Sequence, residues 1–227
     1  MSPIRGLLLD VDGTLVDSNN AHAHAWIKAL AESGRRVAFE LVRPLIGMGG
    51  DKLLHRVCGV KADSPEGKLI NERRGAIFLG EYVPQLRPCR GARELLELLA
   101  KRRVRMVVAS SAKKGELEPL LEICGADRFI SSATSSDDAD HSKPDPDILQ
   151  AAISDLGMPP DEVAMLGDTP YDVEAARRAG IRVITLRCGG WPDSDLKADA
   201  IYDDPANLCE QLDSLPFGEF GTGGDTT

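Results

Sequence analysis

The sequence predicts an α/β protein: a Rossmann-like parallel sheet between helical layers, with an all-helical cap inserted after the first strand. Short apolar segments of the kind that form strands buried on both faces are the first observation. The second is that these segments alternate with helical segments from residue 91 onward, which favours right-handed βαβ crossovers. The third is that residues 18–85 show helical spacing only, so they interrupt the sheet after its first strand.

The spacing of apolar residues predicts the strands and helices, and Gly and Pro residues indicate where they end. Predicted strands lie at Ile4–Leu9, Val104–Ala109, Phe129–Ile130, Val163–Leu166, Arg182–Leu186 and, at the edge, Ala200–Ile201. Predicted helices lie at 18–33, 38–46, 50–58, 65–82, 91–101, 116–124, 146–156, 171–179 and 205–212. These assignments divide the chain into a core (1–16 and 86–217), a cap (17–85) and a flexible tail (218–227).

Composition narrows the class of partner. The chain has 227 residues, of which 42% are hydrophobic and 28% charged, as in globular proteins. A formal net charge of -9 argues against nucleic acid, which is bound by clustered Lys and Arg, but permits a small phosphorylated ligand. No apolar run approaches the roughly 20 residues of a membrane helix, and the five scattered cysteines predict reduced thiols. We therefore expect a cytoplasmic protein, as a monomer or weak homodimer, with no membrane partner.

Chemistry-bearing residues follow the predicted strands. Asp10 and Asp12, in DVDGT, come directly after the first strand, and Ser110 directly after the second. Lys143 lies in the loop HSKPDP, and Asp168 follows the strand at 163–166. Because the carboxyl ends of parallel strands share one edge of the sheet, these groups are expected to converge. Converging acids repel unless a cation lies among them, and oxygen ligands suit Mg²⁺.

The same residues are suited to phosphoryl transfer. Asp10 is a candidate nucleophile that would form an aspartyl-phosphate. Asp12, two residues along an extended segment, is a candidate general acid and base. Gly13 permits a sharp turn whose free N–H groups are expected to cradle phosphate oxygens. The Ser110 hydroxyl and the Lys143 ammonium are expected to bind the phosphate.

The motifs DVDGTLVDS, Ser110, KPDP and GDTPYDVEAARRAG resemble the four motifs of the haloacid dehalogenase-like hydrolase superfamily. The resemblance is closest to its subfamily with a helical cap, which includes phosphoglycolate phosphatases and β-phosphoglucomutases. It implies catalysis by Asp10, Asp12, Ser110 and Lys143. It further implies Mg²⁺ held by the Asp10 carboxylate, the Asp12 carbonyl and Asp168, with Asp172 supporting the metal or the lysine. The residues expected to contact the substrate are Gly13, Thr14, Ser111, His22 and Gly47.

Several cap residues have two interpretations. His22, in HAHAW, resembles a β-phosphoglucomutase histidine that aids the acid/base aspartate, but a position on the helix surface is equally compatible. Gly47 lies in IGMGGD, which in the resembling families enters the site; a plain interhelical turn explains the pattern too. Lys52, Arg73 and Arg74 are candidates for a second anionic group of the substrate or for solvated surface.

These observations predict a Mg²⁺-dependent phosphatase that hydrolyses a small phosphorylated metabolite. The first alternative is a β-phosphoglucomutase-like phosphohexomutase. This resemblance is weaker at three points: the chain has Thr14, it has GD before the metal site, and IGMGGD contains no arginine. Two further candidates are a phosphonate hydrolase and a non-catalytic phospho-accepting switch. The helical cap and Asp12 argue against a switch, which has no need of a general acid.

Overall fold

The computed structural model describes residues 2–138 and 141–214. Its centre is a parallel sheet of six strands in the order β3-β2-β1-β4-β5-β6. The strands are β1 (Gly6–Leu9), β2 (Arg105–Ala109), β3 (Ser132–Thr134), β4 (Val163–Gly167), β5 (Arg182–Leu186) and β6 (Ala200–Tyr202). β1 pairs with β2 on one side and with β4 on the other, so strand order reverses at β1. Ligand sites of open α/β sheets lie at such a reversal, beyond the carboxyl ends of the strands.

Helices cover both faces of the sheet. They are α1 (Asn19–Glu32), α2 (Phe39–Val42), α3 (Gly50–Cys58), α4 (Pro65–Ile77), α5 (Ala92–Lys101), α6 (Lys114–Cys124), α7 (Asp147–Leu156), α8 (Pro170–Ala179), α9 (Asp193–Leu196) and α10 (Pro205–Gln211). Alternate residues of β1 separate the two layers, since Leu8 packs in the cluster that includes α7 and α8. Leu7 and Leu9 pack in the other cluster, which includes α5, α6, α10 and the cap helices. The predicted fold class is confirmed.

The prediction was wrong about the third strand. Phe129 and Ile130 lie in a loop, where their N–H groups bond to the carbonyl of Ala126 at 2.9 and 3.1 Å. Their apolar side chains pack against the core from this turn, and the strand itself is formed by Ser132–Thr134. Because β3 is a short strand at the edge of the sheet, it carries no apolar run that would reveal it in the sequence.

Two predicted cap helices are irregular. The segment 38–46 consists of α2 followed by a 3₁₀ turn at Arg43–Leu45, whose second residue is proline. The segment 65–82 consists of α4, a π-helical turn at Phe78–Tyr82 and a 3₁₀ turn at Val83–Gln85. Residues 10–91 are all described by the structure and contain no strand, so the secondary structure of the insert is helical.

The two chain crossings between sheet and helical insert run side by side. The N–H of Asp17 donates to Arg87 O at 3.0 Å, and the N–H of Cys89 donates to Leu15 O at 2.9 Å. This short antiparallel ribbon lies next to the boundaries predicted at 17 and 86, which remain a prediction as domain limits. The predicted tail at 218–227 lies outside the described residues.

The sequence also predicted that the chain has no membrane helix and that its cysteines are reduced. None of the described helices has the length and hydropathy needed to cross a bilayer. All five cysteines lie in the described part of the chain and are free; Cys89 and Cys124 are buried, whereas Cys188 is exposed.

Candidate active site

The loop after β1 is a tight turn that depends on Gly13. Its φ is +76°, and a Cβ there would lie 2.0 Å from Asn19 Nδ2 and 2.3 Å from Asp168 Oδ2. Two N–H groups of this turn are not free for a phosphate, and the cradling of phosphate by other N–H groups near Gly13 remains a prediction. The N–H of Gly13 donates to Val16 O at 2.8 Å, and that of Thr14 donates to Val11 O at 3.3 Å. The turn uses these donors itself, because the chain must reverse direction towards the cap.

Lys143 links two of the predicted acids. Its ammonium group donates to Asp10 Oδ1 and to Asp172 Oδ1, each at 2.7 Å, and its side chain is only 1% exposed. Burial alone would lower the pKa of Lys143, but the two carboxylates outweigh that effect and raise it. Burial, together with the charges of Asp172 and Asp12, raises the pKa of Asp10 to about 7 although Lys143 lowers it. A single buried cation therefore does not balance the acids around it.

Asp172 owes its position to the start of α8. Thr169 and Asp172 form a capping box: Thr169 Oγ1 accepts from the N–H of Asp172 at 3.2 Å, and Asp172 Oδ2 accepts from the N–H of Thr169 at 3.0 Å. Oδ2 also accepts from the Thr169 hydroxyl at 2.7 Å. Because one carboxylate oxygen serves the helix end and the other holds Lys143, Asp172 positions the lysine.

Asp168, which follows β4, is held by residues that follow the neighbouring strand β1. Its Oδ1 accepts from the Thr14 hydroxyl at 3.0 Å, and its Oδ2 accepts from Asn19 Nδ2 at 2.8 Å. Thr14, predicted to contact the substrate, thus directs its hydroxyl to this carboxylate. Asn19 was missed by the sequence analysis, although its place at the first residue of α1, close after DVDGT, offered a signal. Burial raises the pKa of Asp168 well above its ordinary value, and the charges of Asp10 and Asp172 add to this.

The donor set fits Mg²⁺. Carboxylate oxygens of Asp10, Asp168 and Asp172, all buried, lie within 4.8 Å of one another. Burial and repulsion between neighbouring carboxylates raise the pKa of Asp10 and of Asp168, so positive charge beside them would favour their ionised forms. A hard divalent cation with oxygen ligands supplies such charge. The Asp12 carboxylate is not part of this cluster, and its Oδ1 contacts Ser18 and His22. A role of the Asp12 backbone carbonyl as a metal ligand remains a prediction.

The Asp12 carboxylate is held by two residues at the start of the cap. His22 Nε2 lies 2.8 Å from Asp12 Oδ1, and the Ser18 hydroxyl donates to the same oxygen. His22 is 7% exposed, and its ring stacks on Phe78 with ring centroids 3.8 Å apart. Burial alone would raise the pKa of Asp12, but His22, Ser18 and Arg74 hold the pKa of this carboxyl below its ordinary value. The structure therefore places His22 in the site rather than on the surface.

A cleft lies over these acids, between the cap and the carboxyl ends of the strands. Its cavity volume is about 50 Å³, so it is a small cleft. Its walls are formed by Asp10, Asp12, His22, Trp26, Ile46, Gly47, Met48, Gly50, Leu53, Arg74, Ser111, Ala112 and Glu116. The loop IGMGGD thus reaches the site, as the resemblance implied.

Gly47 lets that loop approach the core closely. Its φ is +105°, and a Cβ there would lie 2.6 Å from Thr169 Cγ2. A side chain at this position would therefore push the cap loop away from the start of α8.

The two serines after β2 differ in their surroundings. Ser110 is buried, and its Oγ accepts a hydrogen bond from the N–H of Ala112 at 3.0 Å. Its hydroxyl hydrogen stays available for a phosphate oxygen. Ser111 lines the cleft, and its buried Oγ has no hydrogen-bond partner among the described residues. An anionic ligand would provide the missing acceptor.

The three cap cations have different environments. Lys52 bonds to Asp145 Oδ2 at 2.7 Å and to the carbonyl of Ser142, so it joins cap and core. Arg73 pairs with Glu32 on the exposed surface of the cap. Arg74 is buried and lines the cleft. Of the three, the structure brings Arg74 together with the acids.

Comparisons with known proteins agree with this geometry. A family model described as haloacid dehalogenase-like hydrolase matches residues 4–180. The chain belongs to the haloacid dehalogenase-like hydrolases. A phosphoglycolate phosphatase of Rhodospirillum rubrum is 33% identical to this hydrolase over 92% of the chain and 90% of that protein. An N-acetylmuramic acid 6-phosphate phosphatase of Pseudomonas aeruginosa is 29% identical over 92% of the chain and 95% of that protein.

The fold is shared with solved structures as well. A hydrolase from Pseudomonas syringae superposes with a TM-score of 0.87 at 29% identity, covering 92% of this hydrolase and 98% of that chain. The predicted family and the hydrolase class of the enzyme are confirmed. The two named phosphatases act on different substrates, so their names leave the substrate of this chain open.

Proposed function

We propose that this hydrolase is a Mg²⁺-dependent phosphatase that cleaves a small phosphorylated metabolite through an aspartyl-phosphate on Asp10. The observation that carries the proposal is the buried pair of Asp10 and Lys143, 2.7 Å apart, below a cleft that Asp12 and His22 also line. The names of the two relatives support the reaction class. The cytoplasm as location, and a monomer or weak homodimer as assembly, remain predictions.

Asp10 is the proposed nucleophile. Lys143 holds Oδ1 and fixes the plane of the carboxylate, so we assign attack on phosphorus to Oδ2. The bond from Oδ2 to phosphorus forms as the bond to the leaving oxygen breaks. Lys143, the Ser110 hydroxyl and the Ser111 hydroxyl are placed to balance charge on the phosphoryl oxygens.

Asp12 is the proposed general acid and base. In the ligand-free site its low pKa keeps it ionised. A phosphate dianion beside it disfavours a second negative charge and raises its proton affinity, so Asp12 takes up a proton from solvent as the substrate binds. Asp12 then protonates the leaving oxygen and, in the second step, takes a proton from the water that attacks the aspartyl-phosphate. His22 and Ser18 hold its Oδ1 throughout.

Asp10 and Asp168, with the carbonyl of Asp12, are the residues that would hold Mg²⁺, and Asp172 would support them through Lys143. When bound, the ion offsets the charge of the phosphoryl group and of the acids. The chain's own contribution is to hold the carboxylates in place: Thr14 and Asn19 fix Asp168, and the capping box fixes Asp172.

Release of inorganic phosphate from a panel of phosphorylated metabolites tests this proposal. Repeated turnover that requires Mg²⁺, stops in chelator and is lost in Asp10→Asn is the expected result. Asp127→Asn, which changes an exposed carboxylate far from the cleft, is the matched control and should keep full activity. Isomerised sugar phosphate without phosphate release would establish the mutase alternative instead. No turnover on any ester would refute the phosphatase proposal.

A further inference from the structure

Lys143 lies in a loop without regular secondary structure. Residues 141–146, all described by the structure, belong to no helix or strand, and within them the N–H of Asp145 donates to Ser142 O at 3.1 Å. A lysine ammonium lies at the end of a flexible four-carbon stem, so its place depends on how the backbone beside it is held. Contacts made by other parts of the chain therefore decide how firmly Lys143 meets Asp10.

The first turn of α3, in the cap, bonds to this loop on both sides of the lysine. The Lys52 ammonium donates to Asp145 Oδ2 at 2.7 Å and to the carbonyl of Ser142. The Ser142 hydroxyl in turn donates to Asp51 Oδ1. Ser142 directly precedes Lys143, and Asp145 follows it by two residues. These contacts, which we call the α3 bridge, join the cap to the backbone that carries the lysine.

Gly49, the residue before α3, lets the cap approach the loop closely. A Cβ at Gly49 would lie 2.0 Å from Ser142 Oγ and 2.2 Å from Ser142 Cβ. A side chain at this position would therefore push the start of α3 away from the loop. Ser142 is buried, so the α3 bridge is a close contact between cap and core rather than a meeting of long side chains in solvent.

Asp145 is held from two sides. Its Oδ2 accepts from Lys52 of the cap, and its Oδ1 accepts from Arg178 of α8 at 2.7 Å. The hydrogen bond from Lys52 lowers the pKa of Asp145 although burial raises it, and the charges of Lys52 and Arg178 lower it further. Hydrogen bonds between charged groups are roughly twice as strong as neutral ones. The loop is therefore held between a cap helix and a core helix.

We propose that Lys52 is a positioning residue for the phosphatase reaction: through the α3 bridge it holds the loop that places the Lys143 ammonium on Asp10. The inference rests on the proposed function. Lys52 does not belong to the wall of the cleft, and its acceptors lie on the loop, so its contacts support a role in placing Lys143. A misplacement of about 1 Å at a reacting group costs roughly 100-fold in rate.

The kinetic test uses three esters that share only the phosphoryl group: methyl phosphate, p-nitrophenyl phosphate and phosphoglycolate. Because Lys143 acts on that shared group, Lys52→Met should lower kcat/KM by about 10- to 100-fold, and by the same factor for all three esters. Lys52→Arg keeps a charged donor and should restore most of the activity. Gly49→Ala separates α3 from Ser142 and should cause the same uniform loss. Lys68→Met, which changes an exposed lysine of α4, is the matched control and should equal the wild type.

Amide hydrogen exchange of residues 141–146 tests the α3 bridge without substrate or metal. Exchange in this segment should be about tenfold faster in Lys52→Met, since the loop loses the bonds that hold it to the cap. In Lys52→Arg and Lys68→Met, exchange should match the wild type. A role of Lys52 in contacting substrate would leave these rates unchanged.

The outcomes separate the two proposals. If exchange and kcat/KM are both unchanged in Lys52→Met, or if exchange alone is unchanged, the α3 bridge does not hold the loop and the inference is wrong. If the loss of kcat/KM is confined to phosphoglycolate, Lys52 acts on the substrate's carboxylate and the inference is wrong, while the phosphatase stands. If the wild type cleaves no ester although exchange responds as expected, the proposed function fails and the positioning role fails with it.

Discussion

Replacing Lys143 with methionine should destabilise the protein strongly in the absence of metal. The substitution keeps most of the side-chain volume, so cavity formation contributes little. It removes the cation that lies 2.7 Å from both Asp10 and Asp172. Breaking a buried ion pair from one side costs about 3–5 kcal/mol, and here two buried carboxylates lose the same partner. The free energy of unfolding of native proteins is about 5–15 kcal/mol, so this loss is a large part of it.

Urea denaturation in chelator at pH 7.5 measures this loss, with Lys28→Met as control. Lys28 pairs with Glu81 on the surface, so its removal should change the free energy of unfolding by less than about 1 kcal/mol. Mg²⁺ at 100 times its dissociation constant raises the free energy of unfolding of a protein that binds it only in the native state by about 2.7 kcal/mol. Its addition should therefore restore part of the stability of Lys143→Met. A Lys143→Met protein as stable as the wild type in chelator would refute the reasoning that the lysine compensates these acids.

Three further predictions concern the same acids. In metal-free protein, the folded-state pKa of Asp10, about 7, lies above its unfolded value of 3.8, so stability should fall as pH rises from 4 to 7; thermal unfolding that is flat across this range would contradict it. His22→Asn removes a group that lowers the pKa of Asp12, so kcat should drop about 10- to 100-fold and the pH–rate profile shift upward, whereas His24→Asn, on the exposed side of α1, should change neither. Asn19→Ala frees one oxygen of Asp168 and should weaken Mg²⁺ binding about tenfold by calorimetric titration; unchanged affinity would remove Asn19 from the site.

The sequence predicted the elements whose signal is local. Apolar runs revealed β1, β2, β4 and β5, because strands buried on both faces need such runs. The spacing of DVDGT, and its place after β1, predicted where Asp10 and Asp12 would lie, since strand ends fix the positions that follow. β3 carries no such signal: it is an edge strand of three small residues, and the apolar pair beside it packs from a turn.

Contacts between distant parts of the chain were decided only by the tertiary structure. Asn19 and Asp168 are 149 residues apart, and Arg74 meets Glu116 across the boundary of cap and core, so no local pattern joins them. Arg73 and Arg74 have the same chemistry, and the sequence offers no reason to prefer one. Successive residues of a helix point about 100° apart, so when α4 packs on the core one guanidinium turns to solvent and the other enters the cleft. The sequence thus determined the candidate reacting groups through their fixed spacing from strand ends, and helix packing alone decided which cap residues face them.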